Sequence, residues 1–254
     1  MSERTVLVTG ATGALGVPIV EALLTRGDRV FFTSRSPEKV SALRARLPDD
    51  VRDRAHGLCI DLEQPDAAGF VVSALTKAGI HPTALVHAAR NPEHLAVNAA
   101  GDPDRAGWIG EYVLGTVVPY ELSMALARQE GSRLAGVVLL SSIYGVVAPN
   151  PTLYDDPTRR FRPQYGVAKA ATLHLTRYLA VMLAPRGIRA NAVVYGGVGG
   201  REGPDFLDRY GRLCPQGRML GKADVPGAVL FLCSDGASGM TGQTVTVDGG
   251  WSVW

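Results

Sequence analysis

The fold is decided by residues 5–16, which read Thr5-Val6-Leu7-Val8-Thr9-Gly10-Ala11-Thr12-Gly13-Ala14-Leu15-Gly16. The first five residues are rich in β-branched side chains and predict a short buried strand. Three glycines follow at once, and an apolar helical pattern then runs from Ile19 to Leu24 and ends at Gly27. A strand, a glycine-rich turn and a helix in this order are typical of the first half of a dinucleotide-binding unit. Glycine lets the backbone come close to a pyrophosphate, and the helix N-terminus offers free N–H groups.

The rest of the chain alternates between strand-like and helix-like segments. Short apolar runs predict strands near residues 4–9, 29–33, 55–60, 83–88, 134–141, 188–194 and 243–247. Amphipathic patterns predict helices near residues 14–26, 37–46, 64–78, 104–130, 163–184 and 223–233. This alternation predicts the α/β class: a single doubly wound parallel sheet, or Rossmann fold, with helices on both faces. We expect residues 1–254 to form one domain, with substrate loops at about 143–162 and 195–222.

A tyrosine and a lysine lie four residues apart in the stretch Pro163-Gln164-Tyr165-Gly166-Val167-Ala168-Lys169. Four residues are about one helical turn, so both side chains would leave the same face of a helix. A free tyrosine has a pKa of about 10, which a nearby ammonium lowers by favouring the phenolate. The pair therefore suits the transfer of a proton to or from a substrate oxygen. The alternative is an amphipathic helix that carries one surface lysine.

These motifs resemble those of the short-chain dehydrogenase/reductase family, and the resemblance covers nearly the whole chain. The family's cofactor loop resembles residues 9–16, and its adenine-contacting pair resembles Asp61-Leu62. Its catalytic serine resembles the second residue of Ser141-Ser142, its Tyr-x-x-x-Lys motif resembles Tyr165 and Lys169, and its closing strand and turn resemble residues 241–250.

The resemblance implies an NAD(P)-dependent oxidoreductase that interconverts an alcohol and a carbonyl on a small, anionic or sugar-like substrate. It also implies a catalytic role for Ser142, Tyr165 and Lys169. Tyr165 would exchange a proton with the substrate oxygen, Lys169 would lower the pKa of Tyr165 and bind the nicotinamide ribose, and Ser142 would stabilise the oxygen. An alternative for Ser142 is a hydroxyl that only caps the strand end. The implied cofactor contacts are Gly10, Thr12, Gly13, Leu15, Gly16, Ser34, Arg35, Asp61, Leu62, His87, Ala88, Val198, Tyr165 and Lys169.

The end of the second predicted strand bears on the choice of cofactor. An NAD enzyme usually has an acidic residue there for the ribose 2′-hydroxyl, whereas an arginine suits a 2′-phosphate. Here the sequence is Ser34-Arg35-Ser36, without an acid. We therefore favour NADP(H) over NAD(H), although Arg35 could also be an exposed arginine at a helix entry. No motif indicates a metal ion.

Several positions differ from the family pattern around the nicotinamide end. The usual Asn-Asn-Ala-Gly is replaced by His87-Ala88-Ala89-Arg90, and Tyr112 occupies the position of the relay asparagine. Tyr195-Gly196 replaces the usual Pro-Gly, Gly200 replaces a threonine, and Ala14 replaces a glycine of the loop. We expect Tyr112 and Tyr195 to face the substrate. A non-catalytic nucleotide-binding protein that kept the fold remains an alternative.

The segment between Ser142 and Tyr165 is longer than in most short members of the family. Its motifs resemble the extended branch, which acts on nucleotide sugars, so a dehydrogenase or epimerase of a nucleotide-linked sugar is a second alternative. The chain has no room for that branch's C-terminal substrate domain, so we expect the inserted loop to help form the pocket. It ends in Arg159-Arg160-Phe161-Arg162. These arginines could bind an anionic substrate, or they could form a solvated basic turn balanced by Asp155 and Asp156.

Composition predicts a protein of the cytoplasm, and the family resemblance implies that it acts on a small molecule. The net charge is +2, charged residues make up 20% and no long apolar run occurs, so neither a nucleic acid nor a membrane is an expected partner. The N-terminus shows no signal peptide, and the three cysteines have no metal or disulfide spacing. The family resemblance implies a homo-oligomer, a tetramer or a dimer. Its first contact would be formed by the helices near 104–130 and 163–184, and a second contact by residues 251–254.

Overall fold

A computed structural model describes residues 4–156, 161–200 and 202–254. Its centre is a seven-stranded sheet in the order β3-β2-β1-β4-β5-β6-β7, and every neighbouring pair of strands is parallel. The strands are β1 (Thr5–Thr9), β2 (Arg29–Ser34), β3 (Ala55–Cys59), β4 (Ala84–His87), β5 (Gly136–Ser142), β6 (Arg189–Tyr195) and β7 (Thr244–Val247).

Helices connect the strands, as parallel pairing requires. They are α1 (Gly16–Thr25), α2 (Pro37–Arg46), α3 (Asp49–Arg52), α4 (Ala67–Lys77), α5 (Arg105–Tyr112), α6 (Val118–Arg128), α7 (Pro163–Leu183), α8 (Pro204–Leu213) and α9 (Pro226–Leu232). A π-helical segment, Val113–Val117, joins α5 to α6 without a break in the helix. None of the helices within the described residues combines the length and apolar content that a membrane crossing requires.

The core lies on both faces of the sheet because successive strand residues point to opposite sides. In β1, Val6 and Val8 pack with Leu23 of α1 and Val229 of α9, whereas Leu7 packs on the other face against α4, α6 and α7. Burial on both faces explains why β1 and β4 are nearly continuous apolar runs. The prediction of a doubly wound parallel sheet with helices on both faces is confirmed.

The predicted loop at 195–222 is interrupted by a helix that the sequence analysis missed. Helix α8 has Pro204 in its first turn, where proline is tolerated, and it buries Tyr210. Flanking glycines and prolines concealed its short amphipathic pattern. As a result, this part of the chain packs as an ordered element beside the 143–156 segment.

The strand order reverses between β1 and β4, and this is where open α/β sheets bind their ligands. β1 pairs with both β2 and β4. The connection after β1 leads to β2 on one side of this pair, whereas the connection after β4 leads to β5 on the other side. The register places Thr9 beside His87, and Ser142 beside Tyr195, at the carboxyl edge. The glycine loop and the segment after Ser142 therefore open on the same edge of the sheet.

Candidate active site

The loop after β1 makes a tight turn that fits a dinucleotide pyrophosphate. Gly10 has φ +64°, and a Cβ placed there would lie 2.5 Å from the carbonyl oxygen of Ala88. Only glycine fits both the left-handed backbone and this close approach. The turn is closed by a 3.0 Å hydrogen bond from the Gly13 N–H to the Gly10 carbonyl, and α1 begins at Gly16 after the partly buried Leu15. The free N–H groups at the start of α1 are thus directed at the crevice.

The adenosine end of the crevice contains two hydroxyl groups and one guanidinium. Thr12 Oγ1 lies 3.1 Å from Ser34 Oγ, so the glycine loop meets the end of β2. The Arg35 guanidinium follows, and it donates to Asn91 Oδ1 at 3.1 Å and lies 3.8 Å from Glu63 Oε1. Hydroxyls beside a guanidinium can hold a phosphate. The neighbouring carboxylate of Glu63 was not expected from the sequence.

The predicted adenine-contacting pair follows β3. The Asp61 carboxylate accepts the Glu63 N–H at 3.1 Å, which fixes the turn after the strand, and Leu62 is buried in the core. Val198 lies on the other side of the crevice, where it forms an isolated parallel bridge with Leu220. These three residues therefore lie at the carboxyl edge, as expected from their positions after β3 and β6.

His87 lies in the core and is fully engaged by the protein. Its Nε2 lies 2.9 Å from the Leu114 carbonyl, which can only accept, and its Nδ1 lies 2.9 Å from Thr9 Oγ1. Burial lowers the pKa of His87 to about 4, so the ring is neutral at pH 7 and carries its proton on Nε2. The side chain ties β1 and β4 to the π-helical segment. Because the His87 side chain is already bonded, only the backbone after β4, including that of the partly buried Ala88, can contact a cofactor.

The two serines at the end of β5 have separate roles. Ser141 Oγ donates to the Lys169 carbonyl at 2.8 Å, which anchors the strand to α7. Ser142 Oγ accepts the Tyr144 N–H at 3.3 Å, and the Ser142 side chain lies close enough to Tyr165 to lower the pKa of its phenol. Of the two serines, Ser142 is therefore the one that lies beside Tyr165.

Gly145 fixes the distance between the Ser142 turn and α7. A Cβ placed at Gly145 would lie 2.7 Å from the Lys169 carbonyl carbon and 2.9 Å from the Ala170 nitrogen, both backbone atoms. A methyl group at this position could not be accommodated by a side-chain rotation. The close backbone contact positions Ser142 relative to Tyr165 and Lys169.

Tyr165 and Lys169 lie one turn apart on α7, as predicted. The Lys169 Nζ lies 5.7 Å from the centroid of the Tyr165 ring, and it donates to the Leu140 carbonyl at 3.0 Å. Burial lowers the pKa of Lys169 to about 8, and the nearby Glu111 carboxylate opposes this effect. Burial also raises the pKa of Tyr165, while the Arg90 guanidinium and the Ser142 hydrogen bond act in the opposite direction. The cation that acts most on the Tyr165 phenol in this structure is Arg90.

Arg90 and Glu111 belong to the site, and the sequence analysis gave neither a role. The Arg90 guanidinium carbon lies 4.9 Å from the centroid of the Tyr165 ring. Glu111 is 5% exposed, and its Oε1 has no hydrogen-bond partner among the described residues. Burial raises the pKa of Glu111, whereas Lys169 and Arg90 lower it. A signal was present for both: an arginine where the family has glycine, and an acid in an otherwise apolar stretch of helix.

Two residues expected to face the substrate are placed elsewhere. Tyr112 is about half exposed at the end of α5, and the buried side chain at this turn is Glu111. Tyr195 is buried on the opposite face of the sheet, where its hydroxyl donates to the Val225 carbonyl at 2.5 Å. Core packing against α9 explains the placement of Tyr195, because side chains alternate between the two faces of β6.

The inserted segment after Ser142 packs on α8 through aromatic side chains. The Tyr144 and Tyr154 hydroxyls lie 2.5 Å apart, and Tyr154 contacts Phe206, whose ring adjoins that of Tyr210. Arg209 of α8 pairs with Asp155 at 2.9 Å. The Arg162 guanidinium donates to the Phe161 carbonyl at 2.7 Å, while Arg159 and Arg160 lie outside the described residues. The described parts of the two predicted substrate loops therefore pack against each other, and the Tyr144 carbonyl adjoins Gly166, next to Tyr165 on α7.

The combined geometry suits reversible proton transfer at a substrate oxygen. Ser142 and Tyr165 offer two hydroxyl groups that lie close together, and the charged side chains of Arg90, Glu111 and Lys169 lie near the phenol. The glycine loop and the β2 end form a cradle on the same edge of the sheet, and its shape and donor groups fit a nicotinamide dinucleotide.

Known proteins with this arrangement are numerous. The family model described as enoyl-(acyl carrier protein) reductase matches residues 10–252. A galactitol 2-dehydrogenase of Rhizobium johnstonii is 32% identical over 99% of this chain and 96% of its own. A galactitol 2-dehydrogenase (L-tagatose-forming) of Cereibacter sphaeroides is 29% identical over 97% of this chain and 94% of its own.

A solved structure has the same fold. The crystal structure of a short-chain dehydrogenase from Leptospira borgpetersenii with bound NAD+ superimposes with a TM-score of 0.85. It is 25% identical in sequence and covers 98% of this chain and 93% of its own.

Proposed function

The chain belongs to the short-chain dehydrogenase/reductase family, and we propose that it interconverts an alcohol and a carbonyl on a small sugar-like substrate with NADP(H). The coarser activity, that of an NAD(P)-dependent oxidoreductase, follows from the family and its relatives. One observation carries the proposal: the Ser142 side chain and the Lys169 ammonium both lie close to Tyr165, at the edge of the sheet where the glycine loop also opens.

In the proposed mechanism, Tyr165 gives a proton to the substrate oxygen in reduction and removes it in oxidation. The hydroxyl of Ser142 donates to the same oxygen as negative charge develops there. Lys169 holds positive charge close to the phenol, and its low pKa of about 8 lets it exchange protons near neutral pH. The nicotinamide supplies or accepts the hydride when it is bound. The glycine loop, Leu15 and Val198 would hold the cofactor, and Thr12, Ser34 and Arg35 would hold its ribose phosphate.

The relatives guide the choice of substrate. Two are galactitol 2-dehydrogenases, which favours a polyol or its ketose. Both match this chain over nearly their whole length, which disfavours the nucleotide-sugar alternative with its additional domain. The presence of Ser142, Tyr165 and Lys169 together disfavours a non-catalytic role. The anionic-substrate alternative depends on Arg159, Arg160 and Arg162, of which only Arg162 is described.

NADP(H) is favoured by the end of β2. No acidic residue occupies the turn 34–36, and the Arg35 side chain is 44% exposed beside the Ser34 hydroxyl. Opposing this, the Glu63 carboxylate lies 3.8 Å from Arg35 and would repel a 2′-phosphate. The preference therefore depends on whether Arg35 turns from Glu63 to the phosphate.

Arg35→Ala is expected to weaken NADPH binding by roughly 1.5–3 kcal/mol, because a charge-assisted hydrogen bond to the 2′-phosphate is lost. NADH binding should hardly change, since that cofactor lacks the phosphate. Calorimetric titration of both cofactors into the wild type and the variant gives the two differences. Equal losses for NADPH and NADH, or no loss, would contradict the assignment to NADP(H).

We also propose that the protein is a homo-oligomer, either a tetramer or a dimer. Helices α5 and α7 present exposed apolar side chains, including Ile109, Tyr178 and Val181, the last 76% exposed. At the C-terminus, Trp251 stacks on Tyr210 at 4.3 Å within the same chain, whereas Trp254 remains 77% exposed. An apolar surface of this kind is typical of an association face.

Light scattering at micromolar concentration is expected to show an assembly of two or four chains. Val181→Glu should shift it towards the monomer, because the substitution places a charge in an apolar contact. Val146→Glu, a change of the same type at an exposed position outside α5 and α7, serves as the control. A wild-type protein that is monomeric under these conditions contradicts this proposal.

Two further proposals concern the organisation and location of the chain. Because all seven strands belong to one sheet, we propose that residues 1–254 act as a single dinucleotide-binding and catalytic domain. The cysteines Cys59, Cys214 and Cys233 are all free thiols, which supports a location in the reducing cytoplasm.

A further inference from the structure

Arg90 follows β4 and stands over the ring of Tyr165. The guanidinium carbon is 4.9 Å from the ring centroid, within the range at which a cation and an aromatic face attract each other. Arg90 makes no hydrogen bond or ion pair with any residue in 4–156, 161–200 and 202–254. Its position is therefore not explained by a structural role in the surrounding fold.

The other cation of the site is engaged elsewhere. Lys169 is buried and donates to the Leu140 carbonyl, and its Nζ is 5.7 Å from the same ring centroid. Arg90 is thus nearer to the ring than Lys169. In addition, a guanidinium stays protonated throughout the working pH range, whereas the pKa of Lys169 is about 8. Above that pH, Arg90 is the lasting positive charge beside the phenol.

The positive charge of Arg90 also opposes the negative charge of Glu111 near Tyr165. The groups that act on Tyr165 come from every element around it: Arg90 after β4, Glu111 on α5, Ser142 at the end of β5, and Lys169 on α7. Glu111 raises the pKa of Tyr165, while Arg90 and Ser142 lower it. Tyr165 in turn acts on Tyr144. The Glu111 carboxylate would suppress ionisation of the phenol if no additional positive charge opposed it.

We propose that Arg90 is a positioning residue of the reaction centre, a second cation that acts with Lys169 to stabilise the phenolate of Tyr165. The proposal rests on the assigned role of Tyr165 in the proposed function. It explains why this chain carries an arginine where the family pattern has glycine. It also predicts a property of the free protein, so it can be tested without a substrate.

The direct test is titration of the tyrosine Cζ carbon by 13C NMR. The chain has eight tyrosines, and the Tyr165 signal is the one missing from Tyr165→Phe. In Arg90→Gln, the midpoint for Tyr165 is expected to rise by about one pH unit, because an opposite charge at this distance favours the ionised form. Arg90→Lys keeps the charge and should restore most of the shift. Arg44→Gln, an exposed arginine on α2, is the control for a general change in charge and should leave the midpoint unchanged.

The activity gives a second readout. For alcohol oxidation, the rising limb of kcat/KM against pH should move to higher pH in Arg90→Gln, with activity recovered at high pH. An unchanged midpoint in Arg90→Gln, an equal shift in Arg90→Lys, or a Tyr165 that does not ionise before the wild type unfolds would each overturn the proposal. If the wild type oxidises no alcohol, the proposed function fails, and the NMR titration still decides the role of Arg90.

Discussion

Tyr165→Phe is expected to lower turnover by a factor of order 10² or more, because the variant keeps the aromatic ring but cannot transfer a proton. The ring would still pack against Arg90, and the Ser142 hydroxyl would still accept the Tyr144 N–H. Cofactor affinity should stay close to that of the wild type, since the glycine loop and the β2 end are unchanged. Steady-state kinetics and a cofactor titration on the same preparation separate the two quantities.

Tyr178→Phe is the matched control for this change. Tyr178 lies on the same helix, but it is exposed and contacts His174 at the surface. Loss of its hydroxyl should leave turnover unchanged. A Tyr165→Phe protein that turns over at nearly the wild-type rate would refute the role of Tyr165, whatever the control shows.

Gly145→Ala is expected to destabilise the protein by about 1–3 kcal/mol, because the new methyl group would overlap rigid backbone. The overlapping atoms are the Lys169 carbonyl carbon at 2.7 Å and the Ala170 nitrogen at 2.9 Å. The Ser142 turn would have to move away from α7, and a displacement of about 1 Å at a reaction centre can cost on the order of 100-fold in rate. Denaturant unfolding and kcat measured on the folded protein give the two effects.

Gly69→Ala is the control for a glycine-to-alanine change. Gly69 lies in α4, and a Cβ there would meet nothing within 4 Å. Alanine has the higher helix propensity, so this variant should be more stable by about 0.5–1 kcal/mol. A Gly145→Ala protein with wild-type stability and activity would show that the Ser142 turn is not held by this contact.

The sequence predicted the sheet and the pair on α7 because both depend on local patterns. Apolar runs that alternate with helical patterns predict a parallel sheet. Two residues four positions apart on a helix lie on the same face, wherever that helix packs. Tyr165 and Lys169 therefore lie where the pattern put them. Helix α8 escaped because its short apolar pattern lies between glycines and prolines, which favour loops.

The helical register around Glu111 could not be predicted. The family pattern places Tyr112 at the site, but the Val113–Val117 segment is π-helical, and a π turn holds one residue more than an α turn. This segment is itself anchored by the Gly115 carbonyl, which accepts the Thr172 hydroxyl at 2.8 Å. The extra residue rotates the preceding turn, so Glu111 replaces Tyr112 on the buried side. Periodicity alone carries no signal for such a shift.

Contacts between distant segments were also beyond the sequence. Arg35 and Glu63 are well separated in the chain, and they meet only because β2 and β3 are neighbours in the sheet. Arg90 reaches Tyr165 for the same reason, since the carboxyl ends of β4 and β5 lie side by side. Each contact changes the charge at a predicted site, and therefore bears on cofactor choice and on the ionisation of the phenol.

The central claim is that this chain catalyses oxidoreduction of an alcohol at Tyr165, and transfer of deuterium tests it most directly. Wild type and Tyr165→Phe would be incubated with NADP+ or NAD+ and carbon-deuterated alcohols. The alcohols would be 2-hydroxy acids and polyols, galactitol among them. A separate incubation with an enoyl thioester and reduced cofactor would serve as the comparison. Mass spectrometry would then show which molecules carry the label. We expect wild type to yield reduced cofactor that carries one deuterium from a polyol, and Tyr165→Phe to yield almost none. Cofactor binding without label transfer from any alcohol, or equal transfer by the variant, would contradict the account.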